Sequence, residues 1–355
     1  MWTAWCAKVF CSKIRDYKIK EYFKMIELHT PNGLSVEVPE TKAEDNTHRF
    51  DVNEDMKNAV SYYKDNGYVI FSSCGSQESC NQLRNFWEKN IKSYQGTIYR
   101  QTTAKAEKNL FNEKKWIMNP ILNLQSLNPN LFGDLRRTVE NEVFSNLSIC
   151  KALKSILGEK PKIVQSMYFE GNSATWEHQD SYYLDSEKIG LMTAGWLALE
   201  EIKANAGRFF ICPKSHEINL GRQNIENNIA DNHDKYIKKV VSIIKSKNMP
   251  IKAPYMATGD FLLWNSWTIH GSIDSQSKTF SRSSITMHAI PETHKFLQFH
   301  SRKIDVPTDD LGNSLIYRPK DQSKFKNRLV LTIESRFPGI YNWLKKQAIK
   351  TWLRK

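Results

Sequence analysis

The chain has 355 residues, of which 40% are apolar and 25% charged, so it can bury a large core as one domain or two. No apolar run approaches the roughly 20 residues of a membrane-spanning helix, and six cysteines without zinc-ligand spacing predict reduced thiols in a cytoplasmic enzyme. The net charge of +13 does not indicate a nucleic-acid-binding core, because residues 26–300 together contribute only +1.

The first predicted segment is an N-terminal extension over residues 1–25, with six basic and two acidic side chains (net +4). Lys8 interrupts its apolar residues, so it lacks the continuous apolar region of a secretory signal. A loose extension, an over-long start and an organelle transit segment all stay open as interpretations. We expect the main domain to span residues 26–300.

The main domain is predicted to begin with a hairpin and helices. Residues 26–37 alternate apolar and polar side chains around Pro31-Asn32-Gly33, which is typical of a β-hairpin. Polar residues 93–130 form a long irregular segment, and such loops are often functional. The other predicted elements are a helix over 53–65 stopped by Asn66-Gly67, a strand over 68–72, a helix over 77–91 capped by Ser76, and helices over 131–145 and 148–157.

From residue 162 the sequence predicts short strands, with a core over about 162–292 and a partly helical insert over about 217–250. The predicted strands cover residues 162–170, 174–180, 191–200, 208–212, 252–257, 260–264, 267–270 and 282–290. Strands at such short intervals favour a closed or two-sheet β structure, so the fold class is mainly β with flanking helices.

The last predicted segment is a basic helical tail over residues 301–355, with thirteen basic and five acidic side chains (net +8). Its apolar residues Leu344, Ile349, Trp352 and Leu353 predict a helix that packs on its own domain. We favour this interpretation over peripheral membrane contact, and a solvated tail over nucleic-acid binding.

Two residues in Trp176-Glu177-His178-Gln179-Asp180 suggest a metal site. If this segment is a strand, the imidazole of His178 and the carboxylate of Asp180 leave the same face. One further histidine would complete a 2-His-1-carboxylate triad, the usual Fe(II) site of non-haem oxygenases. We select His270 as the third ligand, because it follows an apolar strand far along the chain. The alternative is a structural histidine in the core.

Arg282 lies twelve residues after His270, at the start of a predicted strand. A hairpin return of that length brings it back beside the metal, where a guanidinium can bind a carboxylate through two hydrogen bonds. The far carboxylate of 2-oxoglutarate needs such a partner. Ser284 shares the face of Arg282 and could add a hydroxyl group. The alternative for Arg282 is a structural ion pair.

Four stretches, taken in order, resemble the phytanoyl-CoA dioxygenase family of Fe(II)/2-oxoglutarate oxygenases. They are residues 65–71, His178-Gln179-Asp180, residues 195–216, and residues 259–272 together with Arg282. The resemblance covers about residues 50–292. It implies a double-stranded β-helix, the cupin-like jelly roll.

The same resemblance implies Fe(II) held by His178, Asp180 and His270, with 2-oxoglutarate and O2 as co-substrates and Arg282 on the far carboxylate. It also places Trp196, Met167 and Ser272 near the co-substrate, although apolar strand residues such as the first two are as often plain core. Related halogenases carry a small residue in place of the carboxylate. The intact Asp180 therefore argues for hydroxylation and against chlorination.

Two turns depart from the family pattern: Ala206-Gly207-Arg208-Phe209 and Pro213-Lys214-Ser215-His216. We expect Arg208 and Lys214 to add positive charge near the mouth of the barrel, where they would favour an anionic substrate or simply be solvated. We expect His216 to pack or form a hydrogen bond in its loop without binding metal.

The predicted function is a dioxygenase that hydroxylates a small metabolite and converts 2-oxoglutarate to succinate and CO2. An acyl thioester, an amino acid, a sugar and a secondary metabolite all stay open as substrates. Segments 93–130, 181–190 and 217–250 are predicted to form the pocket walls. Tyr182, Tyr183, Trp176 and Trp267 are aromatic candidates for its lining or for the core. A β-barrel metalloenzyme without 2-oxoglutarate and a non-catalytic binding module with basic tails are the alternatives.

Overall fold

The computed structural model describes residues 25–171, 173–218, 220, 229–277, 279–298, 302–343 and 347. The predicted extension before Met25 and the apolar tail residues 344, 349, 352 and 353 lie outside these ranges. The α-helices within them are α1 (Met56–Asn66), α2 (Gln77–Phe86), α3 (Pro129–Val139), α4 (Leu147–Leu157), α5 (Ile229–Ser246) and α6 (Phe325–Arg336). Within the described ranges, no helix combines the length and apolarity needed to cross a membrane.

The predicted N-terminal elements are confirmed with small shifts at their ends. Gly67 ends α1 in the left-handed region at φ +78°, and the Ser76 side chain accepts a hydrogen bond from the Ser79 amide at the start of α2. Helices α2 and α3 continue as π-helical turns over Trp87–Lys92 and Glu140–Phe144.

The strands in the first half of the described chain are β1 (Met25–His29), β2 (Ser35–Pro39), β3 (Tyr68–Phe71), β4 (Ile98–Tyr99), β5 (Ala106–Glu107), β6 (Ile121–Leu122) and β7 (Pro161–Phe169). Those that follow are β8 (Thr175–His178), β9 (Leu184–Ser186), β10 (Thr193–Ala198), β11 (Phe209–Ile211), β12 (Phe261–Asn265), β13 (His270–Ser272), β14 (Ser284–Pro291), β15 (Phe296–Gln298), β16 (Arg302–Ile304), β17 (Thr308–Asp310) and β18 (Leu315–Tyr317). Strands β1 and β2 pair as the predicted hairpin, with the turn glycine Gly33 at φ +75°.

The large sheet has the strand order β17-β18-β7-β14-β10-β12-β3, and β6 adds to β7. All pairs in it are antiparallel except the parallel pair of β18 with β7. Two smaller sheets have the orders β11-β13-β8 and β16-β15-β9. Hydrogen-bonded strand pairs do not close the described sheets into a barrel.

The two faces of the large sheet bury different partners, because neighbouring side chains on a strand alternate between faces. Leu197, Leu263 and Met287 join the core that contains the inward side chains of α2 to α4. Trp196 and Leu262, their neighbours in sequence, pack instead with side chains of β11 on the small sheet. The jelly-roll interior therefore lies between the large sheet and the sheet β11-β13-β8.

Three predicted elements differ from the structure. Residues 252–257 form only isolated bridges at Lys252 and Met256, because Pro254 cannot donate to a strand ladder. Residues 267–269 form a turn ahead of β13. Residues 302–317 were predicted to belong to the helical tail, but they form β16 to β18. Aspartates such as Asp309 and Asp310 are rare in strands, so the sequence of this segment does not show the usual strand pattern.

Candidate active site

The two predicted histidine ligands face each other on the small sheet. His270 is the register partner of His178 where β13 pairs with β8. The Nδ1 atom of His178 lies 2.8 Å from the Trp176 carbonyl oxygen, and that of His270 lies 2.9 Å from the Thr268 carbonyl oxygen. A carbonyl only accepts, so each Nδ1 donates and each Nε2 keeps its lone pair free for a metal.

Asp180 completes a site of three donors. Strand β8 ends at His178, and Asp180 begins a 3-10 turn in which the side chain points back toward both imidazoles. Its Oδ1 atom lies 3.5 Å from the Nε2 atoms of His178 and His270. One donor atom from each residue lies within 4.8 Å of the others, and all three residues are buried. Two imidazoles and one carboxylate in this arrangement match the donor set that non-haem iron prefers.

The second carboxylate oxygen of Asp180 is held away from the metal position. The indole Nε1 of Trp264 donates to Oδ2 at 2.8 Å, and Nε2 of His288 lies 3.4 Å from the same oxygen. Burial opposes ionisation of Asp180, but the imidazoles of His270 and His288 outweigh that cost and hold the pKa of the carboxyl well below its usual range.

Arg282 lies in the same cavity as the three donors and is buried. Its Nε and Nη1 atoms have no hydrogen-bond partner, and no carboxylate of the described residues forms an ion pair with it. The guanidinium lies 5.1 Å from the ring of Phe169 and 5.4 Å from that of Trp196. Burial lowers the pKa of Arg282 to about 9, so the group is still a cation at neutral pH. A buried, unpaired guanidinium indicates an anionic ligand.

A family model described as phytanoyl-CoA dioxygenase (PhyH) matches residues 63–284, more than half of the chain. The chain belongs to this family. The resemblance drawn from the sequence is thereby confirmed, and so are its cofactors, iron and 2-oxoglutarate. No curated protein sequence matches the chain.

Solved structures resemble the chain in fold. The non-heme alpha ketoglutarate dependent carbocyclase SnoK from nogalamycin biosynthesis aligns with a TM-score of 0.51 at 15% identity, over 70% of this chain and 89% of SnoK. The epimerase SnoN from the same biosynthesis aligns at 0.49 and 12% identity, over 75% of this chain and 96% of SnoN. EctD from S. alaskensis aligns at 0.49 and 12% identity, over 79% of this chain and 90% of EctD. The match to SnoK confirms the predicted mainly β fold with flanking helices and a jelly-roll core.

Most of the other predicted residues line the same cavity. Met167, Trp196 and Ser272 line the cavity that holds the three donors, and the buried Nε1 of Trp196 has no hydrogen-bond partner among the described residues. Ser284 is buried on the predicted face, but it is not a lining residue and its hydroxyl donates to the carbonyl of Arg282 at 3.2 Å.

The cavity has a volume of about 1550 Å³ and extends well beyond the donor set. Trp176 and Tyr183 line it, and the Trp176 indole Nε1 donates to the Tyr183 hydroxyl at 3.4 Å. Tyr182 is not a lining residue, because it stacks on Tyr236 of α5 with ring centroids 3.8 Å apart. Trp267 also lies outside the lining, against Gly190.

Arg208 and Lys214 do not supply the expected positive charge at the cavity mouth, because neither lines the cavity. Arg208 is fully buried, donates at 2.6 Å to the carbonyls of Pro39 and Ile202, and so fastens β2 to the domain. Burial lowers the pKa of Arg208 to about 10. Lys214 borders a separate surface depression. As expected, His216 forms a hydrogen bond in its loop: its Nε2 donates to the Lys64 carbonyl at 2.9 Å. A short polar turn in sequence does not show which of its side chains turn inward.

Sequence reasoning missed His288, although a signal for it exists. In Ser-Ile-Thr-Met-His-Ala-Ile, residues 284–290, polar and apolar side chains alternate. That period of two places Thr286 and His288 on the face of Arg282, and both line the cavity.

Proposed function

We propose that the protein is an Fe(II)- and 2-oxoglutarate-dependent dioxygenase that hydroxylates a small-molecule metabolite. The main support is that His178, Asp180 and His270 share one cavity with the buried guanidinium of Arg282, which has no ion-pair partner among the described residues. A metalloenzyme without an anionic co-substrate has no use for an unpaired cation there, because burying it costs free energy.

In this proposal His178, Asp180 and His270 bind the iron, and Arg282 binds the far carboxylate of 2-oxoglutarate. Bound iron and 2-oxoglutarate supply oxygen activation, with decarboxylation to succinate and CO2. The chain's own task is to orient the two imidazoles through the Trp176 and Thr268 carbonyls and to exclude water. The apolar walls of Met167, Phe169 and Trp196 serve that exclusion.

We also propose that the reaction is a hydroxylation, that the substrate is a metabolite and that the protein is located in the cytoplasm. The large cavity supports a small-molecule substrate, and a screen of metabolites for stimulated succinate release would identify it. The four cysteines of the described ranges are free and buried, which supports a reducing compartment.

The test is release of succinate from 2-oxoglutarate by the Fe(II)-loaded protein, with and without candidate substrates. We expect His178→Ala and Asp180→Ala to abolish it, because each removes a metal ligand. We expect Arg282→Ala to raise the KM for 2-oxoglutarate by roughly 10- to 100-fold, since a charge-assisted pair contributes about 1.5–3 kcal/mol. Lys214→Ala, on the separate depression, is the control. Full turnover by Asp180→Ala would refute the assignment.

A further inference from the structure

The C-terminal helix presents large apolar side chains to solvent. We call Phe325, Leu329, Phe337, Ile340 and Trp343 the C-terminal face; each is 48–71% exposed. The first two lie one turn apart on α6, and the last two lie in a second helical stretch over residues 338–343. Large exposed apolar side chains concentrated in one short segment indicate an interaction surface.

The opposite side of α6 is fastened to the domain. Glu334 lies nine residues after Phe325, half a turn around the helix, and it is buried. Its carboxylate accepts from the Tyr99 hydroxyl at 3.1 Å and the Ala106 amide at 3.4 Å, and it lies 3.7 Å from Nζ of Lys320. This anchoring turns Phe325 and Leu329 away from the body, so packing against the described part of the chain leaves them exposed.

The same segment is strongly basic. Residues 324–355 hold nine lysines and arginines, and Glu334, already buried and paired, is the only acidic residue among them. Lys324, Lys326 and Arg336 are exposed beside the apolar side chains. Exposed aromatic and aliphatic side chains interleaved with cations are the composition of a helix that lies in a lipid headgroup layer.

We propose that the C-terminal face docks on an anionic lipid membrane, parallel to its surface. A second copy of the chain is a poor occupant, because it would bring the same positive charge to the contact. Phosphates of nucleic acid match the charge but leave the Phe, Ile and Trp side chains in water. Anionic lipid offers negative headgroups to the lysines and arginines and an apolar layer to the aromatic and aliphatic side chains.

Docking here would also place one side of the cavity beside the membrane. Tyr99 and Lys320 both line the cavity and both contact Glu334 of α6, with Nζ of Lys320 3.9 Å from the Tyr99 ring centroid. The docking itself does not depend on the chemistry proposed for the cavity.

The test is co-sedimentation of the full chain with vesicles of phosphatidylcholine alone and of phosphatidylcholine with roughly one-third phosphatidylglycerol. We expect binding only to the anionic vesicles, weakening as salt is raised. The triple variant Phe325→Ser/Leu329→Ser/Trp343→Ser and the double variant Lys326→Glu/Arg336→Glu should each reduce the fraction bound at least tenfold. Leu147→Ser, at an exposed leucine of α4, is the control and should bind like the wild type.

Equal binding by all variants, or no binding to either vesicle, would overturn the proposal. So would a stable dimer in light scattering that the triple variant converts to monomer, since a second copy would then cover the face. Salt-sensitive binding to duplex DNA that exceeds binding to the anionic vesicles would also overturn it. Thermal unfolding midpoints of the variants separate lost docking from lost folding.

Discussion

At the scale of single residues, the candidate site depends on which polar atoms already have hydrogen-bond partners and are therefore unavailable to a metal. Carbonyls two residues upstream occupy Nδ1 of His178 and of His270, so only Nε2 is available to a metal. Trp264 occupies Oδ2 of Asp180, so Oδ1 is the oxygen that faces the imidazoles. Such outer contacts orient ligands before the metal arrives.

His288 is expected to act as a positioning residue through Oδ2 of Asp180. In His288→Leu that contact is lost, and we expect Co(II) affinity to fall by roughly 10- to 100-fold, the usual effect of removing an outer contact. The visible spectrum of bound Co(II) should change as well, because the Trp264 indole alone would then hold Oδ2 away from the metal. His288→Gln keeps an N–H donor and should recover most of the affinity.

Titration calorimetry and visible spectra of the Co(II)-loaded variants check the role of His288 without any turnover. Thermal unfolding of the apo-proteins shows whether the fold is retained. A folded His288→Leu protein with the affinity and spectrum of the wild type would mean that Trp264 alone orients Asp180.

At the scale of elements, the site depends on how closely two strands approach. A Cβ atom at Gly271 would lie 2.5 Å from the Thr175 carbonyl oxygen on β8 and 2.5 Å from Cζ of Phe210 on β11. Backbone cannot move aside as a flexible side chain can. Glycine between His270 and Ser272 therefore sets the spacing of β13 from its two neighbours.

Gly271→Ala is expected to push β13 away from β8 and separate His270 from His178. Overpacking of this kind costs about 1–3 kcal/mol, and we expect weaker Co(II) binding together with a lower free energy of unfolding in urea. Gly133→Ala is the matched control, because nothing lies within 4 Å of its added Cβ. Wild-type values for both quantities in Gly271→Ala would show that the strands can separate without cost.

The sequence predicts the elements whose signal is local. Strands β10 and β12 are apolar runs bounded by turns, and both were expected. Strand β18 was not, because its stability comes from parallel pairing with β7, about 150 residues away in the chain. The site follows the same rule: the spacing of His178 and Asp180 is visible in sequence, whereas the contact of His288 with Asp180 depends on how β14 lies across the cavity.

At the scale of the whole molecule, the C-terminal residues divide into two parts. Ile316 of β18 is fully buried in the main core, and Arg136 of α3 pairs with Asp321 at 2.9 Å. The segment from 302 to 322 is therefore bound into the domain. Helix α6 is bound to the domain by Glu334, which accepts from the Tyr99 hydroxyl, and by Asn327 and Arg328, which donate to the carbonyls of Asp321 and Gln322 at 2.7 and 2.8 Å. It presents the C-terminal face outward.

Two truncations are expected to separate these parts. Removal of residues 324–355 takes away the hydrogen bonds of Asn327, Arg328 and Glu334, so we expect the free energy of unfolding to fall by about 2–4 kcal/mol and the midpoint by about 2–4 °C per kcal/mol, with Co(II) affinity unchanged. Removal of residues 302–355 also unpairs the edge of β7 and opens the core at Ile316, so we expect an aggregating protein. Thermal unfolding, light scattering and Co(II) titration measure the three quantities. A shorter chain that stays monomeric and binds Co(II) normally would place the end of the domain at residue 300, and β16 to β18 would then be an accessory that the fold does not require.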